Sequence, residues 1–342
     1  MTKILIAAIS GVLAGVCSMP GRAAADDARI VTAVNRSSAL ILRSLAVYPE
    51  FHTCFSCHHH GVGGFMLPIL RKRGYAVTAS DIAAVTRHTE ADLRTDIELY
   101  RKMQGQPGAV PRAGYALLAL ASGGVKRDEV TDTVVNYILK HDADRGFWPA
   151  ASNRPPSEVS PFTNAFLAIR ALKAYGEPMD KQAIEARIAG ARQWLERAAP
   201  KETEDRVFRV WAMEEAGGPR DAIRAEVKAL VSEQRPDGGW AQLPGGSSDA
   251  YATGSALTML LSTRSLSTND AACRQAVKYL LDTQESDGSW HVATRSRPSM
   301  PYFESGFPHG RDQFISIAAS AWATAALSLA GPAQVSRTLA SR

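Results

Sequence analysis

The chain has 342 residues, of which 45% are hydrophobic and 21% charged, and its formal net charge is +5. This is an ordinary globular composition, which excludes a disordered, collagen-like or coiled-coil protein. The charge is too small and too scattered to favour a nucleic-acid partner. Four cysteines are too few for a disulfide-built scaffold, but two of them lie with four of the eight histidines inside residues 52–60.

Residues 1–25 have the pattern of a secretory signal. Lys3 supplies the positive charge, residues 4–16 are an apolar run too short to span a bilayer, and alanines at 23–25 give a small-residue cleavage site. No later apolar run approaches the length of a membrane span, so the mature chain is expected to have no transmembrane segment. These features predict a periplasmic or secreted protein in an oxidising compartment.

After the leader, amphipathic and almost wholly apolar helical segments alternate along the chain. The amphipathic segments lie near 28–47, 80–104, 127–139, 181–196, 219–233 and 268–282, and the apolar segments begin near 58, 111, 162, 205, 249 and 312. An apolar helix is buried on most faces, whereas an amphipathic helix covers it from outside. The pattern predicts an all-α fold of about six helical hairpins in one domain, 26–331, with a C-terminal tail at 332–342.

Three short turns repeat between the two kinds of helix, at 144–148, 234–240 and 284–290. Each contains Asp and Gly, which suit a helix end that needs a positive φ. Each turn ends in a tryptophan, and the first interval between these tryptophans is close to twice the second. Trp148, Trp240 and Trp290 are predicted to be structural and to pack between neighbouring helices.

The turns at 234–240 and 284–290 resemble the Q-x-x-D-G-x-W repeats of the α/α-toroid superfamily, which contains squalene and oxidosqualene cyclases and protein prenyltransferase β subunits. The stretch 249–254 resembles the start of an inner helix in that superfamily. The resemblance covers roughly residues 80–331 and implies concentric inner and outer rings of helices. The resemblance is a much weaker guide to function, because one fold can carry many chemistries.

The motifs of the superfamily's two main chemistries are incomplete in this chain. Hopene-type cyclases resemble one another in an Asp-x-Asp-Asp-Thr acid at an inner-helix start, and here only Asp249 stands in the matching stretch. Asp249 is therefore expected to cap its helix. Prenyltransferases use a zinc site of Asp, Cys and His, whereas Cys273 lies on an outer helix and no Asp-x-Cys pair exists. Whether the protein is an enzyme stays open.

Cys54, Cys57 and His58 form a Cys-x-x-Cys-His motif. This spacing is typical of covalent haem c attachment, with two thioether bonds and His58 as the proximal ligand of the iron. The predicted export of the chain agrees with that chemistry. Candidates for the sixth iron ligand are Met103, His88, His141 and His309, and a five-coordinate haem is equally compatible.

Two other uses of the same residues stay open. Cys54, Cys57, His58 and His60 could hold zinc or copper. Cys54 and Cys57 could instead form a local disulfide. The helix register places residues 52–60 in the first hairpin, where the chain enters an inner helix.

The same register brings further polar residues to the rim where the inner helices begin. Asp249, Tyr251, His309 and Asp312 are the candidate catalytic residues there. For Asp312, helix capping is an equal alternative.

Three functions follow from these observations. The first is an exported toroid with haem c that acts in redox or haem-linked binding near an apolar cavity, with a redox partner protein. The second is an enzyme for an isoprenoid, or a binder of an apolar small molecule, whose cysteine–histidine cluster holds a metal or a disulfide. The third is a non-catalytic scaffold that binds a partner protein.

Overall fold

The computed structural model describes residues 21–150, 152–176, 181–297 and 302–334, with side chains from Asp26 onward. Residues 1–20 of the predicted leader and residues 335–342 of the predicted tail lie outside the described residues. Helix α1 begins at Gly21, so the predicted cleavage site falls in its first turns.

The described chain is an all-α toroid of six helical hairpins, as the alternation of helices predicts. The outer helices are α1 (Gly21–Phe51), α3 (Ala79–Thr95) with its continuation α4 (Ile97–Arg101), α6 (Glu129–Lys140), α8 (Lys181–Arg197), α10 (Arg220–Ser232) and α12 (Ala271–Thr283). The inner helices are α2 (Val62–Lys72), α5 (Ala109–Ser122), α7 (Pro161–Tyr175), α9 (Thr203–Glu215), α11 (Ala250–Ser262) and α13 (Gln313–Ala330). A π-helical turn (Cys57–Gly61) precedes α2, and two-residue strands β1 (Trp240–Ala241) and β2 (Ser248–Asp249) pair antiparallel.

The six inner helices form a closed ring in which each packs against the next, and α13 packs against α2. Glutamines of the repeated turns bind neighbouring outer helices. Gln234 Nε2 donates to the Ala272 carbonyl at the start of α12, at 2.8 Å, and Gln284 Nε2 donates to the Ala33 carbonyl of α1, at 3.0 Å. The turn after α12 therefore contacts α1 in the same way as the turn after α10 contacts α12, and this contact closes the outer ring.

The tryptophans of the three turns serve the structural role expected of them. The indole Nε1 of Trp148, Trp240 and Trp290 donates to the carbonyl of Ile138, Leu230 and Leu280 respectively, at 2.7–2.9 Å. Each indole thus satisfies a carbonyl near the end of the preceding outer helix while its ring is wholly buried. The repeated bond fixes the angle at which each turn leaves its helix.

Aromatic side chains fill the centre of the inner ring. The Trp211 ring lies 4.7 Å from Phe166, 5.6 Å from Phe65 and 6.0 Å from Trp322, measured between centroids. Phe208 joins the same cluster from α9. These rings come from four inner helices, so the middle of the toroid is packed and open space lies towards its two ends.

Two helical stretches, Asp26–Phe51 and Gly310–Ala330, are long and apolar enough to cross a membrane. The second is 83% buried inside the ring, and the first lies near the N-terminus and is 50% buried. An enclosed core helix of a soluble protein has the same length and composition. The absence of a membrane span in the mature chain stays a prediction.

Candidate functional site

The predicted site residues gather at the face of the ring where the inner helices begin, which we call the N-terminal rim. The π-helical turn precedes α2, Asp249 caps α11 and Asp312 precedes α13. Loops cross this rim and connect distant hairpins: Ser296 Oγ donates to the Pro155 carbonyl at 3.1 Å. The rim is therefore partly covered by chain.

The π-helical turn buries Cys57 of the Cys-x-x-Cys-His motif, whereas Cys54 and His58 are half-buried. Cys57 and Cys54 are free thiols, and Cys57 is only 8% exposed. Burial raises the pKa of the Cys57 thiol well above its ordinary value, and the nearby Glu158 carboxylate raises it further. Cys54 Sγ lies 3.7 Å from the Tyr48 hydroxyl. The turn therefore holds Cys57 as a neutral thiol with little access to solvent.

The His58 ring lies under the loop that leads to α7. Its Nε2 is 3.4 Å from Ser157 Oγ and 3.9 Å from the Glu158 carboxylate. Burial lowers the pKa of His58, and Glu158 opposes that effect. His58 is therefore mostly neutral at pH 7, with its Nε2 turned towards two polar groups of the chain.

His59 and His60 are fully buried beside α1 and α3. Their rings lie 4.8 and 4.9 Å from Tyr48, and His60 stacks on His88 at 4.3 Å. None of their four ring nitrogens has a hydrogen-bond partner among the described residues. Burial lowers the pKa of His59 to about 3, and that of His60 falls well below its ordinary range. Both rings are therefore neutral.

Haem attached to this motif matches the donor types but not the space around them. Ser157 and Glu158 lie directly against the His58 ring. A haem on this histidine requires the loop that carries Ser157 and Glu158 to move away, and haem attachment stays a prediction.

The alternative metal ligands Cys54, Cys57, His58 and His60 do not converge either. Among the described residues, no three of their donor atoms lie within 4.8 Å of one another. The motif therefore contains free thiols and neutral imidazoles whose donor atoms do not form a common metal site.

A buried carboxyl group that the sequence analysis missed lies at the start of α9. Glu204 is 4% exposed, and its Oε1 accepts a hydrogen bond from Thr163 Oγ1 at 2.8 Å, whereas its Oε2 has no partner among the described residues. Burial raises the pKa of Glu204 to about 8. The side chain is therefore a neutral carboxylic acid at pH 7.

Two neighbouring acids at the start of α9 are held differently. Asp205 accepts from Ser160 Oγ at 2.7 Å and from the Lys201 amide at 2.9 Å, and Glu202 pairs with Arg295 at 2.8 Å. Three carboxyl groups thus stand at one inner-helix start: Glu202 pairs with a cation, Asp205 accepts from a hydroxyl and an amide, and Glu204 accepts from the Thr163 hydroxyl.

Among the predicted catalytic residues, Asp249 is a helix cap and Tyr251 lies beside Glu204. Asp249 Oδ1 accepts from the amides of Tyr251 and Ala252, both at 2.9 Å, so the expected capping role is confirmed. The Tyr251 hydroxyl is buried beside the Glu204 carboxyl, close enough to affect its pKa, but it makes no hydrogen bond of normal geometry among the described residues. The Tyr115 hydroxyl is buried and unpartnered in the same region.

His309 and Asp312 form a second cluster with the last repeated turn. Asp312 Oδ2 accepts from His291 Nε2 at 2.8 Å, and its Oδ1 accepts from the Thr294 amide at 2.9 Å. His309 Nε2 lies 2.8 Å from Ser289 Oγ, and its ring stacks on His291 at 4.8 Å. The structure therefore divides the four catalytic candidates between two places on the rim.

Two cavities lie at opposite ends of the inner ring. The first, of about 260 Å³, is at the N-terminal rim, and the second, of about 570 Å³, is where α2, α9 and α11 end. One side of the first cavity is apolar and is formed by Phe162, Trp194, Val159, two prolines and two alanines. The other side is polar and is formed by Ser160, Lys201, Glu202, Glu204 and Asp205. The cavity therefore combines an apolar wall with a polar one that includes the neutral acid.

Part of the chain matches a known family model. Residues 199–340 match the squalene-hopene cyclase C-terminal domain, a stretch that begins just before α9 and includes the last two hairpins. No curated protein matches the chain in sequence.

Solved structures with low sequence identity share the whole fold. A variant of the type II terpene cyclase MstE from Scytonema, in complex with geranylgeranyl dihydroxybenzoate, is 17% identical with a TM-score of 0.55, over 90% of this chain and 98% of that chain. Unsaturated glucuronyl hydrolase from Bacillus sp. GL1 is 13% identical with a TM-score of 0.54, over 86% and 95% of the two chains. A protein from Actinoplanes is 15% identical with a TM-score of 0.56, over 88% and 99%. The chain therefore has the cyclase-like α/α-toroid fold, and its C-terminal part is similar to the squalene-hopene cyclase domain.

Proposed function

We propose that the protein binds an apolar, isoprenoid-type molecule in the cavity beside Glu204 and presents a neutral carboxylic acid to the oxygen-bearing end of that molecule. The observation that carries this proposal is the unpartnered Oε2 of a buried acid whose pKa is about 8. A buried polar atom without a partner costs free energy, and a ligand that pairs with it recovers that cost. The unpartnered Tyr251 hydroxyl beside it supports the same site.

The shape of the cavity limits the ligand. About 260 Å³ is near the lower end of the range of small-molecule sites, and the aromatic cluster fills the ring below it. The cavity suits a short isoprenoid or one end of a longer molecule. The MstE complex, in which an isoprenoid chain is joined to an oxygen-bearing ring, supports this class of ligand.

The pKa of Glu204 also limits the chemistry. A carboxylic acid with a pKa of about 8 is a weak acid, so it suits a hydrogen bond or proton transfer to oxygen rather than protonation of a carbon–carbon double bond. After proton transfer, the Thr163 hydroxyl would stay bonded to the resulting carboxylate. The proposed role of Glu204 is therefore hydrogen-bond donor or general acid towards a hydroxyl or carbonyl oxygen.

Binding of farnesol and of its hydrocarbon analogue farnesene tests this role. Trp194 lines the cavity, so quenching of tryptophan fluorescence reports occupancy, and Trp194→Phe identifies its share of the signal. We expect Glu204→Leu to remove the preference for farnesol, a loss of roughly two- to tenfold for one hydrogen bond. Glu185→Leu, on the exposed face of α8, is the matched control. Farnesol that binds Glu204→Leu as it binds the wild type contradicts the proposal.

A second candidate function is covalent haem binding in an exported redox protein, favoured by the Cys54-x-x-Cys57-His58 spacing behind a leader-like segment. Because Ser157 and Glu158 lie against the His58 ring, displacement of their loop is part of this proposal. A pyridine haemochrome spectrum of protein purified from the periplasm of a host with haem-maturation machinery tests it. A colourless wild-type protein, or haem retained by the Cys54→Ser, Cys57→Ser variant, contradicts it.

A further inference from the structure

The last repeated turn and the loop before α13 bring two histidines and a glutamate together at the N-terminal rim. One donor atom each from Glu285, His291 and His309 lies within 4.8 Å of the other two, and no other such group occurs among the described residues. Glu285 and His291 are exposed, and His309 is half-buried. The Glu285 carboxylate makes no hydrogen bond or ion pair within the described part of the chain. Glu285 and His291 are therefore accessible, and the Glu285 carboxylate is free to bind a ligand.

Hydrogen bonds fix which nitrogen of each histidine is available. His291 Nε2 donates to the Asp312 carboxylate at 2.8 Å. Ser289 Oγ donates to Asp287 Oδ1 at 2.6 Å, so it accepts from His309 Nε2, 2.8 Å away. Both rings then carry their proton on Nε2, which leaves the Nδ1 lone pair free. A metal-binding histidine in proteins typically donates its other N–H to a carboxylate or to a similar acceptor in this way.

The backbone at His309 agrees with a functional role. His309 has φ +82°, a left-handed conformation that side chains seldom adopt and that the surrounding structure must hold in place.

The preceding repeat shows that the cluster is specific to the last hairpin. At the positions equivalent to Glu285, Ser289 and His291, the earlier turn has Arg235, Gly239 and Ala241. Its aspartate, Asp237, binds Ser248 of β2 at 2.8 Å instead of taking part in a histidine network. The fold of the turn therefore requires neither Glu285 nor His291, nor the Ser289 hydroxyl that accepts from His309.

We propose that Glu285, His291 and His309 bind a divalent transition-metal ion, with Zn²⁺ as the best match for two imidazoles and one carboxylate. Zinc with three protein ligands keeps an open position for water. Donor atoms on one zinc ion lie about 3.3 Å apart, as follows from metal–ligand distances of about 2.0–2.1 Å in a tetrahedron. The exposed Glu285 and His291 side chains must therefore move inwards by more than about 1 Å, and the ion ties the last turn to the loop before α13. This site is separate from Glu204 and does not rest on the proposed function.

Zinc titration of the purified full-length protein against a chromophoric competitor tests the site. We expect one equivalent to bind to the wild type and the affinity to fall by more than about 100-fold in His309→Gln and in Glu285→Gln, because removing a ligand costs more than the 10–100-fold typical of its hydrogen-bond partner. Glu285 is exposed, so its variant keeps the fold. His141→Gln, which removes another half-buried histidine beside an aspartate, is the matched control.

A second set of variants separates this site from the cysteine–histidine motif. The Cys54→Ser, Cys57→Ser double variant is expected to keep the zinc equivalent, and the Co²⁺ form is expected to lack thiolate charge-transfer absorption. The proposal is wrong if the wild type binds no zinc. It is equally wrong if Glu285→Gln and His309→Gln bind zinc as the wild type does, or if the double-cysteine variant alone loses the ion.

Discussion

Replacing Glu204 by the isosteric, uncharged glutamine is predicted to change how stability depends on pH. An unfolded glutamate loses its proton near pH 4.5, whereas folded Glu204 keeps it until about pH 8 because of burial. Between these values the folded state holds one more proton, so the free energy of unfolding falls as pH rises, by about 1.4 kcal/mol per pH unit. The loss is about 3 kcal/mol at pH 7 and levels off at about 5 kcal/mol above pH 8.

Urea unfolding of the wild type and of Glu204→Gln between pH 4 and 9 measures this effect. The difference between the two free energies isolates Glu204, because the other titrating groups are common to both proteins. The groups nearest to Glu204 are the Thr163 and Tyr251 hydroxyls and the carboxylates of Glu202 and Asp205, all unchanged in the variant. We expect the glutamine variant to gain relative stability steadily from pH 4.5 to pH 8. Parallel pH profiles would refute the assignment of a neutral acid at this position.

Three further predictions concern the turns and the thiols. Gly238→Ala is predicted to lower the free energy of unfolding by more than about 2 kcal/mol, because φ is +89° and the new methyl would lie 2.4 Å from a carbonyl oxygen of α12. Gly245→Ala, with φ +76° and open space around it, is predicted to lower it by about 1 kcal/mol, and thermal unfolding measures both. Gln284→Ala is predicted to lower the free energy of unfolding by about 1–3 kcal/mol, since two carbonyls lose their donor. A maleimide is predicted to label Cys57 much more slowly than Cys54, and equal rates in mass spectrometry would contradict the burial of Cys57.

The helical architecture was predictable because it depends on local periodicity. The inner helices were expected to begin near 58, 162 and 312, and the π-helical turn, α7 and α13 begin at Cys57, Pro161 and Gln313. Apolar residues around the whole circumference distinguish an inner helix from an outer one, and this signal does not depend on where the ring closes. The capping role of Asp249 followed from the same reasoning, because a cap is defined by its own helix.

The chemistry of Glu204 was not predictable in this way, because its pKa depends on distant parts of the chain. In the sequence alone, a glutamate in the first turn of a helix indicates only a favourable interaction of its charge with the helix dipole. Here, the loop before α7 and Trp194 of α8 close over it and remove water. The one signal available in the sequence is an acid at an inner-helix start, a position that Glu204 shares with Asp249. The haem prediction, likewise, rested on spacing and carried no information on the loop that covers His58.

The bond between Gln284 and the Ala33 carbonyl has a consequence for the order of assembly. About 250 residues separate its ends, so the ring can close only after the C-terminal hairpin has emerged and returned to the first helix. The cysteine–histidine turn lies directly after α1, at this late-forming seam. The Cys57 thiol, which is 8% exposed in the closed ring, is therefore open to chemical modification while the chain is still incomplete, whereas Cys54 stays partly accessible afterwards. A group joined to Cys57 is expected to arrive before the ring closes.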